Sequence, residues 1–444
     1  MNERYIAAVE VSTSKIVAAI GKTKGTGNLE IVAVEQEPVA EGGVRYGIIQ
    51  NLEETSTAVA RVFARLEQRQ AVYPKKIKSV VVGLGGRSIK NITKEVSLSL
   101  PEDTEITDDI LTRLQDEAFN SAIDNTLEVI DAVPRFFKVG NSDTVSPKGM
   151  IGNHISGIFD LIVCRPELKR NIRRTIVDKL HLEVDGFVVT AMATGHLILT
   201  PEEKRLGCML VDMGAETTTV TIYQKGALHY YATIPMGGRN ISRDIASLGV
   251  VDAKAEEIKI TSGNALTENN VPNLNINGLK LSDISNLVVA RSEEIVANII
   301  AQIEYAGIKD SDLQGGIVCI GGGFRLKGLL ELLEMESGLP VHRGSLPDYV
   351  KVEDNRANGI ELAEVVSVLY AGATLSDKES LYEPERKVMP LNGTLPLPGL
   401  DEEEEPQEQK TDPKPKPNLW RKMGSKLGKL FSETEEDDTE LLDE

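Results

Sequence analysis

Two short segments of this 444-residue chain carry residue types that can hold a phosphate and its counter-ion. "IAAVEVSTSKIVAAIG" begins at Ile6 and "MLVDMGAETTTVTIYQKG" begins at Met209. Each reads as an apolar strand, an acid, a turn of small and hydroxyl residues, and a second apolar strand. That is a β-hairpin with a polar tip. At the first tip stand Ser12, Thr13, Ser14 and Lys15, and at the second Gly214, Ala215, Glu216 and Thr217. Backbone N–H groups at such tips can point at phosphate oxygens, the hydroxyls add donors, and Lys15 can neutralise charge. The acids Glu10 and Asp212 close the first strand of each hairpin and can hold Mg²⁺ through water. One such hairpin is an ordinary piece of sheet; two facing each other across a cleft make a phosphate clamp.

A third motif, "VCIGGGFRLKGLLELL" from Val318, reads as a buried strand, a glycine turn and an apolar-periodic helix. Gly321, Gly322 and Gly323, with Phe324 behind them, would let the backbone approach a ligand at a helix N-terminus. The same pattern also serves to close a loop and nothing more. In "AEEIKITSG", Glu256 and Lys259 share one helix face and can reach a ribose or an adenine. A solvated ion pair fits that spacing equally well.

These residues need a scaffold. The recurrence of the hairpin over a long interval implies a duplicated α/β domain, and the length suits more than one core. Between the two copies, strands at about 89–100, 127–139 and 154–164 around a helix from Thr107 read as a compact α/β insertion. Three cysteines (Cys164, Cys208, Cys319) among apolar neighbours are too few for a disulfide framework and read as buried thiols. The first residues lack a signal peptide's basic lead and cleavage site, and no run of 18 apolar residues spans a bilayer. A formal charge of −19 argues against nucleic acid as a main partner.

Residues 391–417 are rich in proline and acids and read as a disordered tether. The next fourteen, "NLWRKMGSKLGKLF", contain four bases and no acid, and residues 432–444 are again acidic. At 100° per residue, Leu419, Trp420, Met423, Leu427, Leu430 and Phe431 fall within one arc of about 120°. Arg421, Lys422, Lys426 and Lys429 lie on the other side. This is the pattern of an interfacial helix, apolar face in the acyl boundary and cations toward anionic lipid. A groove on a partner would use the same face.

The order of motifs resembles the actin, hexokinase and Hsp70 superfamily, and within it the bacterial cell-division family FtsA. The matching pieces are the two hairpins, "IPMGGRNISRDIA" (234–246), "AEEIKITSG" (255–263), "CIGGGFRLKG" (319–328) and "VVSVLYAGATL" (365–375). "EVIDAVPRFFKV" and "PKGMIG" look like landmarks of the subdomain that FtsA carries in place of an actin one. The resemblance implies a two-lobed actin-like α/β fold with ATP and Mg²⁺ between the lobes. It divides the chain into a first half-domain (1–82, continued at 164–205 and about 370–390), the insertion (83–163), and a second half-domain (206–240 and 312–369). An upper subdomain (241–311), the tether (391–417), the amphipathic helix (418–431) and the acidic tail (432–444) complete it. It further implies self-assembly into filaments on the cytoplasmic side of the inner membrane at the division septum, docking of the FtsZ C-terminal peptide, and recruitment of later division proteins. The helix near 285–306 with Arg291 is the candidate FtsZ dock; a plain solvated charge is the other reading of Arg291.

The phosphate loops depart from the family pattern. The first is usually Asp-x-Gly-Thr-Ser/Thr and is Glu10-Val11-Ser12-Thr13-Ser14 here; Ser12 puts a Cβ where glycine freedom serves close approach. The second is usually Asp-x-Gly-Gly-Gly-Thr and is Asp212-Met213-Gly214-Ala215-Glu216-Thr217 here. Facing a phosphate at ~4 Å with an effective dielectric near 20, Glu216 would cost about 4 kcal/mol unless screened or turned away. No polar residue in "VVTAMATGHLIL" (188–199) stands out as a water-positioning base, and His196 reads as structural. Weakened nucleotide affinity and little or no hydrolysis are expected. Two other functions share the fold class: a pilus-assembly-type ATP-binding scaffold, which docks a peptide rather than lipid, and a small-molecule kinase, which needs a catalytic carboxylate.

Overall fold

The computed structural model describes residues 3–23, 28–266, 273–353, 359–375 and 377–384. The linker 391–417, the amphipathic helix 418–431 and the acidic tail 432–444 lie outside the described residues.

Strands Arg4–Val11 and Lys15–Thr23 form the first hairpin, at the centre of a six-stranded sheet. Its strand order is Glu183–Val189, Ser79–Leu84, Arg4–Val11, Lys15–Thr23, Leu29–Pro38, Val350–Val352. The all-apolar run "VVVGL" of Ser79–Leu84 is buried along its whole length, as expected for a strand paired in parallel and covered on both faces. Helix Leu52–Glu67 covers one face. Asn51 caps it by accepting from the Glu54 N–H at 3.1 Å, and Ala58, Val59, Val62, Phe63 and Leu66 form its buried stripe.

The second hairpin, Cys208–Met213 with Thr218–Gln224, lies in a five-stranded sheet of order Ala227–Ile234, Thr218–Gln224, Cys208–Met213, Ile317–Ile320, Val341–Arg343. Three helices, Gly238–Ala246, Asp252–Ser262 and Leu281–Tyr305, build the upper part of this lobe around a core that includes Ile241, Ile258, Val288 and Ile299. Helices Thr190–Ile198 and Ala363–Leu375 pack together between the sheets. The first lobe's core runs through them onto Cys208, Leu210, Val318 and Ile320 of the second sheet, so the lobes share a packed base. All three cysteines are buried and free.

The chain returns to the first sheet earlier than expected. Val350–Val352 pairs in parallel with Leu29–Pro38, and helix Ala363–Leu375 packs on the first hairpin. The expected crossing near 370 is therefore corrected to about 350. A three-residue edge strand carries too little periodicity to be read locally.

The insertion is a four-stranded antiparallel sheet of order Ser142–Thr144, Glu128–Val139, Ile151–Cys164, Lys90–Glu105, covered by helix Asp108–Phe119. It has its own core, where Phe137 meets Phe159 edge-on at 5.9 Å. An arginine helps tie it to the second lobe. Arg135 donates to the fully buried Asp160 at 2.8 and 3.0 Å and to the His229 carbonyl at 2.8 Å. Removing Asp160 would strand that guanidinium at a covered interface.

Candidate functional site

A cleft of about 1220 Å³ opens between the lobes, and both hairpin tips face into it. In each hairpin the acid is the next-to-last residue of its strand: Glu10 sits across from Val17 and Asp212 across from Thr219. Each tip is pinned by its own backbone. The Ser12 N–H and hydroxyl both donate to the Lys15 carbonyl, at 3.0 and 2.9 Å. The Gly214 N–H donates to the Thr217 carbonyl at 2.8 Å. Among the described residues, positive φ outside glycine occurs at Tyr46, Asp103, His181, Lys225 and Asn277, not in the first tip. Ser12 therefore sits there without strain, and its hydroxyl closes the turn.

The cleft collects the sequence-derived candidates. Glu10, Ser12, Thr13, Ser14, Lys15, Asp212, Gly214, Ala215, Glu216 and Thr217 line it, together with Glu256, Lys259, Gly321, Gly322 and Gly323. Phe324 is not among the lining residues; its ring is fully buried in the second lobe's core. The glycines open a short 3₁₀ turn, Gly322–Arg325, and the following helix starts only at Leu329. The turn's backbone, rather than a helix N-terminus, meets the cleft.

Two charges differ from expectation. Glu216 is neither turned outward nor bare: its Oε1 accepts from Arg239 and Arg243 at 3.1 and 2.9 Å. Lys259 does pair with Glu256, but its own ammonium is largely buried rather than solvated. Its Nζ donates to Glu256 at 2.8 Å and to the Gly238 carbonyl at 3.0 Å, bracing the helix beside the second tip. Burial disfavours charge on Glu256, but the bonds from Lys259 and Ser242 outweigh it and hold the carboxyl below its usual range.

At the cleft floor, sequence reading missed a third carboxylate. Glu364 opens helix Ala363–Leu375, one residue ahead of the quoted "VVSVLYAGATL". Burial and then the Glu364 charge push Glu10 well above the ordinary carboxylate range, against the pull of Lys15 and a Thr190 hydrogen bond. Asp212 is pushed up by burial, then by Glu364 and Glu10, with Lys15 opposing. Asp212 Oδ1 is buried without a hydrogen-bond partner. Three acids against one lysine, with an orphaned oxygen, form a floor that a cation would relieve.

Arg291 is engaged within the chain. It donates to both Asp244 carboxylate oxygens, at 2.6 and 3.0 Å, and to Glu294, clasping helix Gly238–Ala246 to Leu281–Tyr305. The plain solvated charge is thus replaced by a structural clamp. His196 does not line the cleft; burial first and then Lys204 depress its pKa to about 4, as fits a neutral structural histidine.

Residues 209–367 match the family model for the cell division protein FtsA, and residues 86–163 match the model for the SHS2 domain inserted in FtsA. The two matches together span more than half of the chain. The chain belongs to the FtsA family. The cell division protein FtsA of Pseudomonas aeruginosa is 28% identical over 391 residues, covering 85% of this chain and 92% of the relative. FtsA of Bacillus subtilis is 27% identical over 369 residues, covering 80% and 81%. Among solved structures, the PilM-PilN type IV pilus biogenesis complex superposes with a TM-score of 0.59 at 15% identity, covering 83% of this chain and 98% of that one. That likeness speaks for the fold alone. The four-stranded insertion is the FtsA-type SHS2 domain, and the whole is a cell-division protein of actin-like α/β fold.

Proposed function

We propose that this chain binds ATP with Mg²⁺ between its lobes, assembles into filaments on the cytoplasmic face of the inner membrane, and tethers FtsZ filaments there while later division proteins are recruited. The observation that carries the nucleotide reading is the meeting of both hairpin tips, the glycine turn and the Glu256–Lys259 pair on one cleft. The tips would take the phosphates, with Lys15 as counter-charge, and Glu256 and Lys259 would stand toward the nucleoside.

Glu10 and Asp212, with Glu364 beside them, suit a cation. Among the described residues no group of three His, Cys, Asp or Glu side chains is placed to ligate a metal directly, so contact through water fits better. Bound there, Mg²⁺ would screen the phosphate charge.

Membrane attachment rests on the amphipathic segment 418–431. Among the described residues no helix is long and apolar enough to cross a membrane. The FtsZ peptide is assigned to the lobe carrying Leu281–Tyr305. Since Arg291 is already paired, the exposed side of that helix is a better dock than its guanidinium.

Hydrolysis is expected to be slow. Among the described residues no histidine lines the cleft, and Glu10 and Asp212 would be taken up around the cation. Calorimetry should show saturable, Mg²⁺-dependent ATP binding, and phosphate release should stay below about 1 s⁻¹. An absence of ATP binding would overturn the reading, and faster turnover would overturn its structural, non-enzymatic character. The pilus-scaffold reading shares the fold, but the lipid-type terminal segment favours the membrane.

A further inference from the structure

Glu216 stands at the tip of the second phosphate loop, where negative charge is least welcome. The structure shows how it is tolerated. Helix Gly238–Ala246 carries Arg239 and Arg243 one turn apart, and both guanidiniums close on Glu216 Oε1. Glu216 is 3% exposed, whereas Arg239 and Arg243 are 33% and 42% exposed. The arginines therefore cover the carboxylate and keep outer edges free for the cleft, which all three residues line. Each guanidinium has five N–H donors, most of them still available here. The local charge is one positive, not one negative.

The pair is firmly mounted. The Gly238 N–H donates to the Gly214 carbonyl at 3.0 Å, and the Arg239 N–H donates to the Ala215 carbonyl at 2.8 Å. At Gly237 a Cβ would come within 2.6 Å of the Gly214 carbonyl oxygen, so helix and tip touch backbone to backbone. The bridge is also unsaturated: Glu216 Oε2 is buried with no hydrogen-bond partner.

We infer that Arg239 and Arg243 form an anion subsite of the cleft that takes a phosphate group, with Glu216 as the internal anion that orients the pair and limits its strength. Planar guanidinium forks suit phosphate oxygens in charge and geometry. The inference deepens the nucleotide reading and rests on it for the source of the phosphate; free phosphate offers the same chemistry.

The test is calorimetric titration of the full chain with ATP, ADP, adenosine and inorganic phosphate. The variants are Glu216→Gln, Arg239→Gln with Arg243→Gln, and the triple combination. Glu216→Gln is expected to tighten ATP and ADP several-fold. Removing both arginines from the Glu216→Gln background is expected to weaken them about tenfold or more and to leave adenosine unchanged. Unchanged ATP affinity in that background would mean that the arginines only mask Glu216, and would overturn the inference. Inorganic phosphate that binds wild type and is lost with the arginines keeps the subsite even if ATP and adenosine do not bind, in which case only the nucleotide reading falls. Wild type that binds no phosphate compound overturns both. If the double substitution unfolds the chain, Arg243→Lys is measured instead. It keeps the charge and loses the fork, and it is expected to weaken ATP but not adenosine.

Discussion

Exchanging Trp420 and Phe431 for glutamate is expected to release the protein from anionic vesicles. At ~1 kcal/mol per base near an anionic surface, the four cations of residues 418–431 give attraction but no grip. Six half-buried apolar side chains add about 1–2 kcal/mol each. In the proposed helix, ordering the segment and its two glycines at about 1 kcal/mol each would oppose them, as would the acidic run that follows in the sequence. On the proposed function the balance would be a weak single anchor, made durable when many copies sit on one filament and each later contact is intramolecular. The two substitutions remove the aromatic part of the apolar face and halve the net positive charge of the segment. A loss of about 100-fold in partitioning follows from ~3 kcal/mol. Co-sedimentation with anionic liposomes measures it, and undiminished binding of the double variant would sink the membrane reading. Thermal unfolding should not move, because the cores of both lobes are built from other residues.

Gly321→Val should have the largest effect on the folded body. Gly321 holds φ at +89°, a region that β-branched residues avoid. A Cβ there would stand 2.6 Å from the Met213 carbonyl oxygen and would press on Asp212 at the cleft floor. Strain and overpacking together cost about 4 kcal/mol, and displacing Asp212 would disturb the proposed nucleotide site. A drop of several degrees in thermal midpoint and loss of ATP binding are expected. Its neighbour is the control: a Cβ on Gly322 meets nothing within 4 Å, and its φ is ordinary. Gly322→Ala should fold as wild type does; equal damage from both substitutions would refute this account of the turn.

The two hairpins were legible because their signal is local: apolar strands ending on an acid and a hydroxyl-rich tip. The insertion was legible for the same reason, its expected strands at 127–139 and 154–164 matching Glu128–Val139 and Ile151–Cys164. Pairings across the fold were not. Glu216 looked repulsive because Arg239 and Arg243 come to it from another element, 23 and 27 residues on. Their i, i+4 spacing within "MGGRNISRDIA" was the available hint. Glu364 was missed because a lone acid at a helix start reads as a dipole partner, and only the fold brings it to Glu10 and Asp212. Arg291 was read as a candidate dock or else a solvated charge, because its partner Asp244 belongs to a neighbouring helix.

Electron microscopy of the full chain on an anionic lipid monolayer, with and without ATP, tests the central claim most directly. Filaments that form on the lipid with ATP, and that vanish when residues 418–444 are removed, are the expected result. A monolayer that stays bare with ATP, or filaments that persist on lipid after the truncation, would contradict it.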